Sequence, residues 1–147
     1  MTEHSSKVER TILLIEDEEV DAEYFSRALK SEIADLKIDT FCDAEGALEH
    51  LRDISEDAIR SLPHLVLLDL NLDLTNGFEV LEEIRGDARL MVLPVVVVST
   101  SNSNRDVQKA YRMKVNAFIK KPDDITGYGK IAKAIAAFWF DDIVLIP

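Results

Sequence analysis

The sequence predicts an α/β domain built on a doubly wound parallel sheet. Five short runs of strand-forming residues alternate with five stretches of helical spacing along 147 residues. Key runs are apolar at every position, as in Val95-Val96-Val97-Val98. Strands of that kind are buried on both faces, as in a parallel sheet covered by helices, and right-handed crossovers distribute those helices to the two sides. A third observation comes from polar residues. Glu16-Asp17, Asp69, Ser99-Thr100 and Lys121-Pro122 each follow or close a strand-like run. In a parallel sheet these carboxyl ends share one edge, where open α/β sheets place their sites.

Residues 1–9 are polar and mixed in charge and read as a flexible arm. β1 is predicted over Thr11–Ile15. α1 is predicted from Glu18 to Lys30, with Val20, Tyr24, Ala28 and Leu29 on one face. β2 covers Lys37 to Phe41. Asp43 is placed to cap α2, whose stripe is Ala44, Ala47, Leu48 and Leu51. Pro63 punctuates the approach to β3, Leu65 to Leu68. α3 opens at Gly77, turns Val80, Leu81 and Ile84 inward and ends near Gly86. Pro94 precedes β4 (Val95 to Val98). α4 follows from Arg105 to Met113, then β5 over Ala117 to Ile119. α5 is predicted from Ile125 to Phe140, with Ile131, Ile135 and Phe138 inward. One domain over residues 10–140 accounts for the pattern, with an apolar tail over 141–147. No repeat, low-complexity segment or second domain is visible.

Hydrophobic residues make up 47% of the chain and charged residues 31%, normal for a globular protein. The net charge of -11 disfavours binding to nucleic acid or to an anionic membrane, since both would repel the chain. No apolar run approaches the roughly 18–20 residues of a spanning helix, and the amino terminus lacks the apolar core of a signal peptide. The one cysteine, Cys42, excludes an intramolecular disulfide and is expected to be a small packed side chain after β2. A soluble cytoplasmic protein is the expectation. His4, His50 and His64 are scattered without metal-ligand spacing, and His50 is expected at the surface.

The residues at the shared edge have a common chemistry. A carboxylate can attack a phosphoryl group when neighbouring charge is neutralised, and phosphoryl transfer depends mainly on positioning and electrostatics. An acidic pair beside Asp69 would hold a hard cation such as Mg²⁺ through oxygen ligands. Asp17 is the better direct ligand, and Glu16 can act through water. The main-chain carbonyl of Asn71 is a further ligand candidate. Lys121 offers a mobile positive charge to a phosphoryl oxygen, and Ser99 offers a hydroxyl. Each signal also has a bland reading: Asp17 as a helix cap, Ser99 as a turn residue. The case rests on all four occurring in order, each at a strand end.

These residues resemble the receiver domains of two-component response regulators. The resemblance covers about Arg10 to Phe140. It is carried by Ile15-Glu16-Asp17, Leu68-Asp69-Leu70-Asn71, Gly77, Val98-Ser99-Thr100 and Lys121-Pro122. It implies a flavodoxin-like fold with strand order 2-1-3-4-5. It implies Asp69 as phosphoacceptor, Asp17, Asp69 and the Asn71 carbonyl as Mg²⁺ ligands, Ser99 as switch hydroxyl and Lys121 as the phosphate-contacting lysine. It also implies a cis peptide bond before Pro122. A narrower resemblance is to the small regulators of phytochrome-type histidine kinases. Its clues are Ile15-Glu16-Asp17-Glu18, Ser99-Thr100-Ser101 and the ending Phe138-Trp139-Phe140 … Leu145-Ile146-Pro147.

Four positions depart from the family pattern. Glu16 replaces a frequent Asp. Asp73 stands where Pro is usual and adds negative charge. Phe118, at the switch-aromatic position, has no hydroxyl. Thr100 replaces a frequent Ala and is expected to tune the lifetime of the phosphoryl group. In the switch so implied, Ser99 turns in toward phosphorylated Asp69, Phe118 fills the space, and the α4-β5-α5 face shifts. That face and the apolar tail are expected to form a homodimer contact. Tyr24 and Phe25 fall where the family docks histidine phosphotransfer helices, or are core-edge aromatics. The chain is read as a signalling protein and not an enzyme, although it can assist its own phosphorylation and dephosphorylation. A phosphate sink, a phosphorelay carrier and a phosphorylation-independent dimeric adaptor are the alternatives. An aspartyl-nucleophile phosphatase is disfavoured, because Asn71 occupies the place of its usual second acid and no cap domain is evident.

Overall fold

The computed structural model describes residues 9–54, 62–72 and 76–141. Within them the order is β1 (Arg10–Ile15), α1 (Glu19–Glu32), β2 (Leu36–Phe41), α2 (Ala44–Asp53), β3 (Leu65–Leu68), α3 (Gly77–Gly86), β4 (Val95–Ser99), α4 (Asn104–Arg112), β5 (Ala117–Lys120) and α5 (Tyr128–Ile135). A tight turn at Ile125–Gly127 leads into α5, and a wider π-helical stretch, Ala136–Asp141, continues it. The five strands form one parallel sheet in the order β2-β1-β3-β4-β5, as expected. The arm at 1–8 and the tail at 142–147 lie outside the described residues, as do His4 and Asp73.

Successive strand residues point to opposite faces, and the core divides accordingly. Leu13, Ile15, Val66, Leu68, Val95 and Val97 face one cluster with the inner sides of α2, α3 and α4. Ile12, Leu14, Leu65, Leu67, Val96 and Val98 face the other, under α1 and α5. Full burial of each such side chain stabilises the fold by about 1.5–3 kcal/mol. The predicted stripes of α2 and α3 are buried as expected. Asp43 caps α2 by accepting from the Gly46 amide at 2.7 Å. His50 is half-buried, its ring near Phe41 and its Nε2 3.7 Å from Asp39.

Three packing expectations are corrected. On α1 the buried stripe is Ala22, Phe25 and Leu29, while Val20 and Tyr24 are 56% and 40% exposed. α1 docks through Phe25, whose ring stacks on Tyr128 at 4.8 Å, so Phe25 is core and not a docking residue. At the other end of the chain Phe138 is 61% exposed and Phe140 is buried. The π turn holds more residues than an α turn, which carries the inward position from Phe138 to Phe140. Cys42 is exposed, because the chain leaves the edge strand β2 there and turns outward into the α2 cap.

Candidate functional site

Four loops meet at the carboxyl edge of the sheet, and backbone bonds fix their heights. The Asp69 amide donates to Ile15 O at 3.0 Å, Glu16 to Phe41 O at 2.9 Å and Lys121 to Ser99 O at 2.8 Å. The apolar strands therefore deliver Glu16, Asp69, Ser99 and Lys121 to one place, and all four are buried. α3 closes in from below. The Gly77 amide donates to Leu70 O at 2.9 Å, and Asn76 caps the helix by accepting from the Phe78 amide.

Lys121 is the centre of charge. Its Nζ lies 2.6 Å from Glu16 Oε1, 2.9 Å from Asp69 Oδ2 and 3.8 Å from Asp21 Oδ2. Burial opposes the ammonium charge, but the bonds to Glu16 and Asp69 outweigh it and hold the lysine above its ordinary value. Burial pushes Glu16 up to about 8; Asp69 adds to the rise and Lys121 opposes it. Asp69 Oδ1 accepts from the Asn71 amide at 3.0 Å, and Glu16 Oε2 accepts from the Glu18 amide at 3.1 Å.

The same pocket fits a divalent cation. Glu16, Asp17 and Asp69 each present a carboxylate oxygen, all within 4.8 Å of one another. Asp17 Oδ1 is buried and has no hydrogen-bond partner among the described residues. A buried carboxylate oxygen without a partner is costly, and a hard cation with oxygen ligands satisfies it.

Ser99 is fully buried, and its Oγ accepts from Asn71 Nδ2 at 3.4 Å and from the Ser101 amide at 3.3 Å. Asn71 Nδ2 also reaches Thr100 Oγ1 at 3.2 Å, so the Asn71 amide sits across both hydroxyls. Phe118 is half-buried against the first core cluster, and its amide donates to the Tyr111 hydroxyl at 3.2 Å. The peptide before Pro122 is trans, contrary to the expected cis bond. Trans is the lower-energy isomer by about 0.5–1 kcal/mol, and Lys121 reaches Asp69 from it. Sequence reasoning missed Asp21 and Tyr128. Asp21 stands four residues after Asp17, in the first turn of the helix that follows it, and that spacing was available as a signal. Tyr128 carries no comparable signal.

Residues 12–132 match the family described as response regulator receiver domain. The chain belongs to that family. It is 33% identical to response regulator Rcp1 of Synechocystis over 92% of both chains. It is 38% identical to the "Probable methanogenesis regulatory protein FilR2" of Methanothrix harundinacea, over 87% of this chain and 82% of that one. The crystal structure of the phosphorylated cyanobacterial phytochrome response regulator RcpA superposes with a TM-score of 0.85 at 36% identity, covering 94% of this chain and 99% of that one. The Mn²⁺-bound form of Rcp1 superposes with a TM-score of 0.83 and the same coverage. The receiver fold expected from the sequence is thus the observed one. Among the described residues no helix is long and apolar enough to cross a membrane.

Proposed function

We propose that this response regulator takes a phosphoryl group on Asp69 from the phosphohistidine of a histidine kinase and signals through its α4-β5-α5 face. One observation carries the reading: the Asp69 carboxylate is buried between the Lys121 ammonium and two further carboxylates whose oxygens converge on it. Asp17, Asp69 and the Asn71 main-chain carbonyl would hold Mg²⁺, with Glu16 contacting it through water; bound there, the ion neutralises the charge of the phosphoryl oxygens. An Asp69 oxygen attacks phosphorus, the phosphorus–nitrogen bond breaks, and the imidazole nitrogen leaves with the electron pair. Lys121 bonds a phosphoryl oxygen. Ser99 gives up the Asn71 amide and donates its hydroxyl to another, and Phe118 follows by packing alone. Thr100 and Asp73 modulate access and charge at the site, and water attack at the same phosphorus would return the carboxylate.

The likeness to Rcp1 and RcpA supports a phytochrome-type kinase as donor, and a cytoplasmic location follows from that partner. A homodimer through α4-β5-α5 and residues 141–147 is part of the proposal, supported by the exposure of Phe138 in the stretch that continues α5. The deciding experiment is labelling with acetyl phosphate and Mg²⁺ on phosphate-affinity gels. Wild type is expected to shift, Asp69→Asn to stay unshifted, and Lys121→Ala to shift with a weakened conformational response. Full labelling of the Asn variant would refute the acceptor assignment.

A further inference from the structure

The Lys121 ammonium has a third anionic neighbour outside the acceptor cluster. Asp21 Oδ2, on the first turn of α1, lies 3.8 Å from Lys121 Nζ. The same oxygen accepts from the Tyr128 hydroxyl at 2.8 Å. Tyr128 opens α5 and is 1% exposed, with its ring stacked on Phe25 of α1. Phe25 and Asp21 are one turn apart on one helix, so a single side chain of α5 is gripped by α1 at both its ring and its hydroxyl. A hydroxyl buried to that degree needs a partner, and Asp21 is that partner. Burial, with the bond to Asp21, also pushes Tyr128 upward, so it stays a donor.

We propose that Asp21, held by the Tyr128 hydroxyl, is a positioning residue for Lys121 and ties the start of α5 to the occupancy of Asp69. The inference rests on the reading of Asp69 as phosphoacceptor. One oxygen of Asp21 serves two partners whose interests differ. When Lys121 moves to a phosphoryl oxygen, Asp21 loses a cation and its bond to Tyr128 is left to set its position. α5 carries that bond, and Trp139, the one tryptophan in the chain, lies eleven residues further along the same helical run. Trp139 is half-buried against the cluster that contains Tyr128, so its emission reports how that end packs. Coupling of this kind is established by a measured dependence, not by adjacency.

The test measures two quantities on the same sample under acetyl phosphate and Mg²⁺: the fraction labelled, by phosphate-affinity gel, and the change in Trp139 emission. Tyr128→Phe keeps the ring on Phe25 and removes the hydroxyl. Asp21→Asn keeps an acceptor for the hydroxyl and removes the charge facing Lys121. Glu23→Gln, on the outer face of α1 where it pairs with Arg27, is the control. Per labelled molecule, the emission change is expected to fall at least twofold in the first two variants and to match wild type in the control. A full emission change per label in both variants overturns the inference, even if their melting temperatures drop, because a merely structural contact would lower stability alone. An emission that does not move in labelled wild type overturns it too. A wild type that takes no label overturns the reading of Asp69 and this inference with it.

Discussion

A Cβ added at Gly77 would lie 2.4 Å from the Asp69 carbonyl oxygen and 2.6 Å from Leu70 Cα. Both neighbours are backbone, so the strain cannot be relieved by a side chain turning away. Gly77→Ala is expected to destabilise the fold by about 1–3 kcal/mol, the usual range for overpacking, and to slow labelling at Asp69. Urea unfolding alongside acetyl phosphate labelling checks this, and a variant normal in both would contradict the packing argument. Glycine at this position was visible in the sequence as part of the family pattern, but its reason was not, since the clash is with residues seven and eight positions earlier. His64 offers a pH test at the opposite end of the sheet. Its Nδ1 accepts from the Thr11 amide at 3.2 Å, which requires that nitrogen unprotonated. Burial, with Arg10 nearby, lowers the folded-state value below 6.5. The unfolded chain therefore takes up the proton first as acid is added. Its stability contribution is complete above about pH 6.5 and is lost as pH falls through the lower folded value. The stability difference between wild type and His64→Gln is expected to shrink between pH 7 and 5; a difference that grows on acidification would reverse the sign of this argument.

Elements were legible in proportion to how little they depend on distant partners. β3 is apolar at every position and β4 at every position before its last residue, Ser99, so their location follows from the residues alone, and they deliver Asp69 and Ser99 to the edge whatever the helices do. α2 and α3 are amphipathic with local caps at Asp43 and Asn76, and α2's cap and both stripes were readable. α1 was different. Two interleaved stripes share its helical spacing, and the choice between them is made by Tyr128, about a hundred residues away, which takes Phe25 inward. The same limit applies at the far end, where a π turn moves the buried position from Phe138 to Phe140. The Glu16-Asp17, Asp69, Ser99 and Lys121 signatures escaped this limit because each is a polar residue following or ending an apolar run. Another long-range device is Arg85. From the end of α3 it donates to Met91 O, Leu93 O and Lys114 O, at 2.8–3.1 Å. It thereby holds together the loops that enter β4 and β5. Bonds to a charged donor contribute about 1.5–3 kcal/mol each when well made. Arg85→Leu is expected to lower stability by about 2–4 kcal/mol, the range for losing such a partly buried network. Hydrogen exchange should show the loss concentrated in β4 and β5, and uniform exchange across all five strands would argue against a local clamp.

At the scale of the whole molecule, a chain of net charge -11 gathers four carboxylates near one ammonium: Glu16, Asp21 and Asp69 around Lys121, and Asp17 beside Glu16 and Asp69. Like charges crowded in a buried place oppose folding unless something compensates. Lys121 compensates in part, through Glu16 and Asp69, and leaves Asp17 Oδ1 without a hydrogen-bond partner among the described residues. Any cation that binds this cluster in the folded chain and not in the unfolded one must stabilise the fold, by RT ln(1 + [L]/Kd). At a free Mg²⁺ concentration one hundred times the dissociation constant the gain is about 2.7 kcal/mol. For a domain of this size that corresponds to a rise of roughly 5–10 °C in Tm. Asp17→Asn should cut the response in a particular way. It relieves repulsion, so the metal-free variant is expected to melt at or above the metal-free wild type, yet it gains little from added Mg²⁺. Thermal melts with chelator and with Mg²⁺, run on both chains at fixed ionic strength, separate the two effects. General screening by salt would raise both chains equally. A wild type whose Tm is indifferent to Mg²⁺, or an Asn variant that gains as much as wild type, would mean that the acidic edge holds its charge by means other than a bound divalent ion.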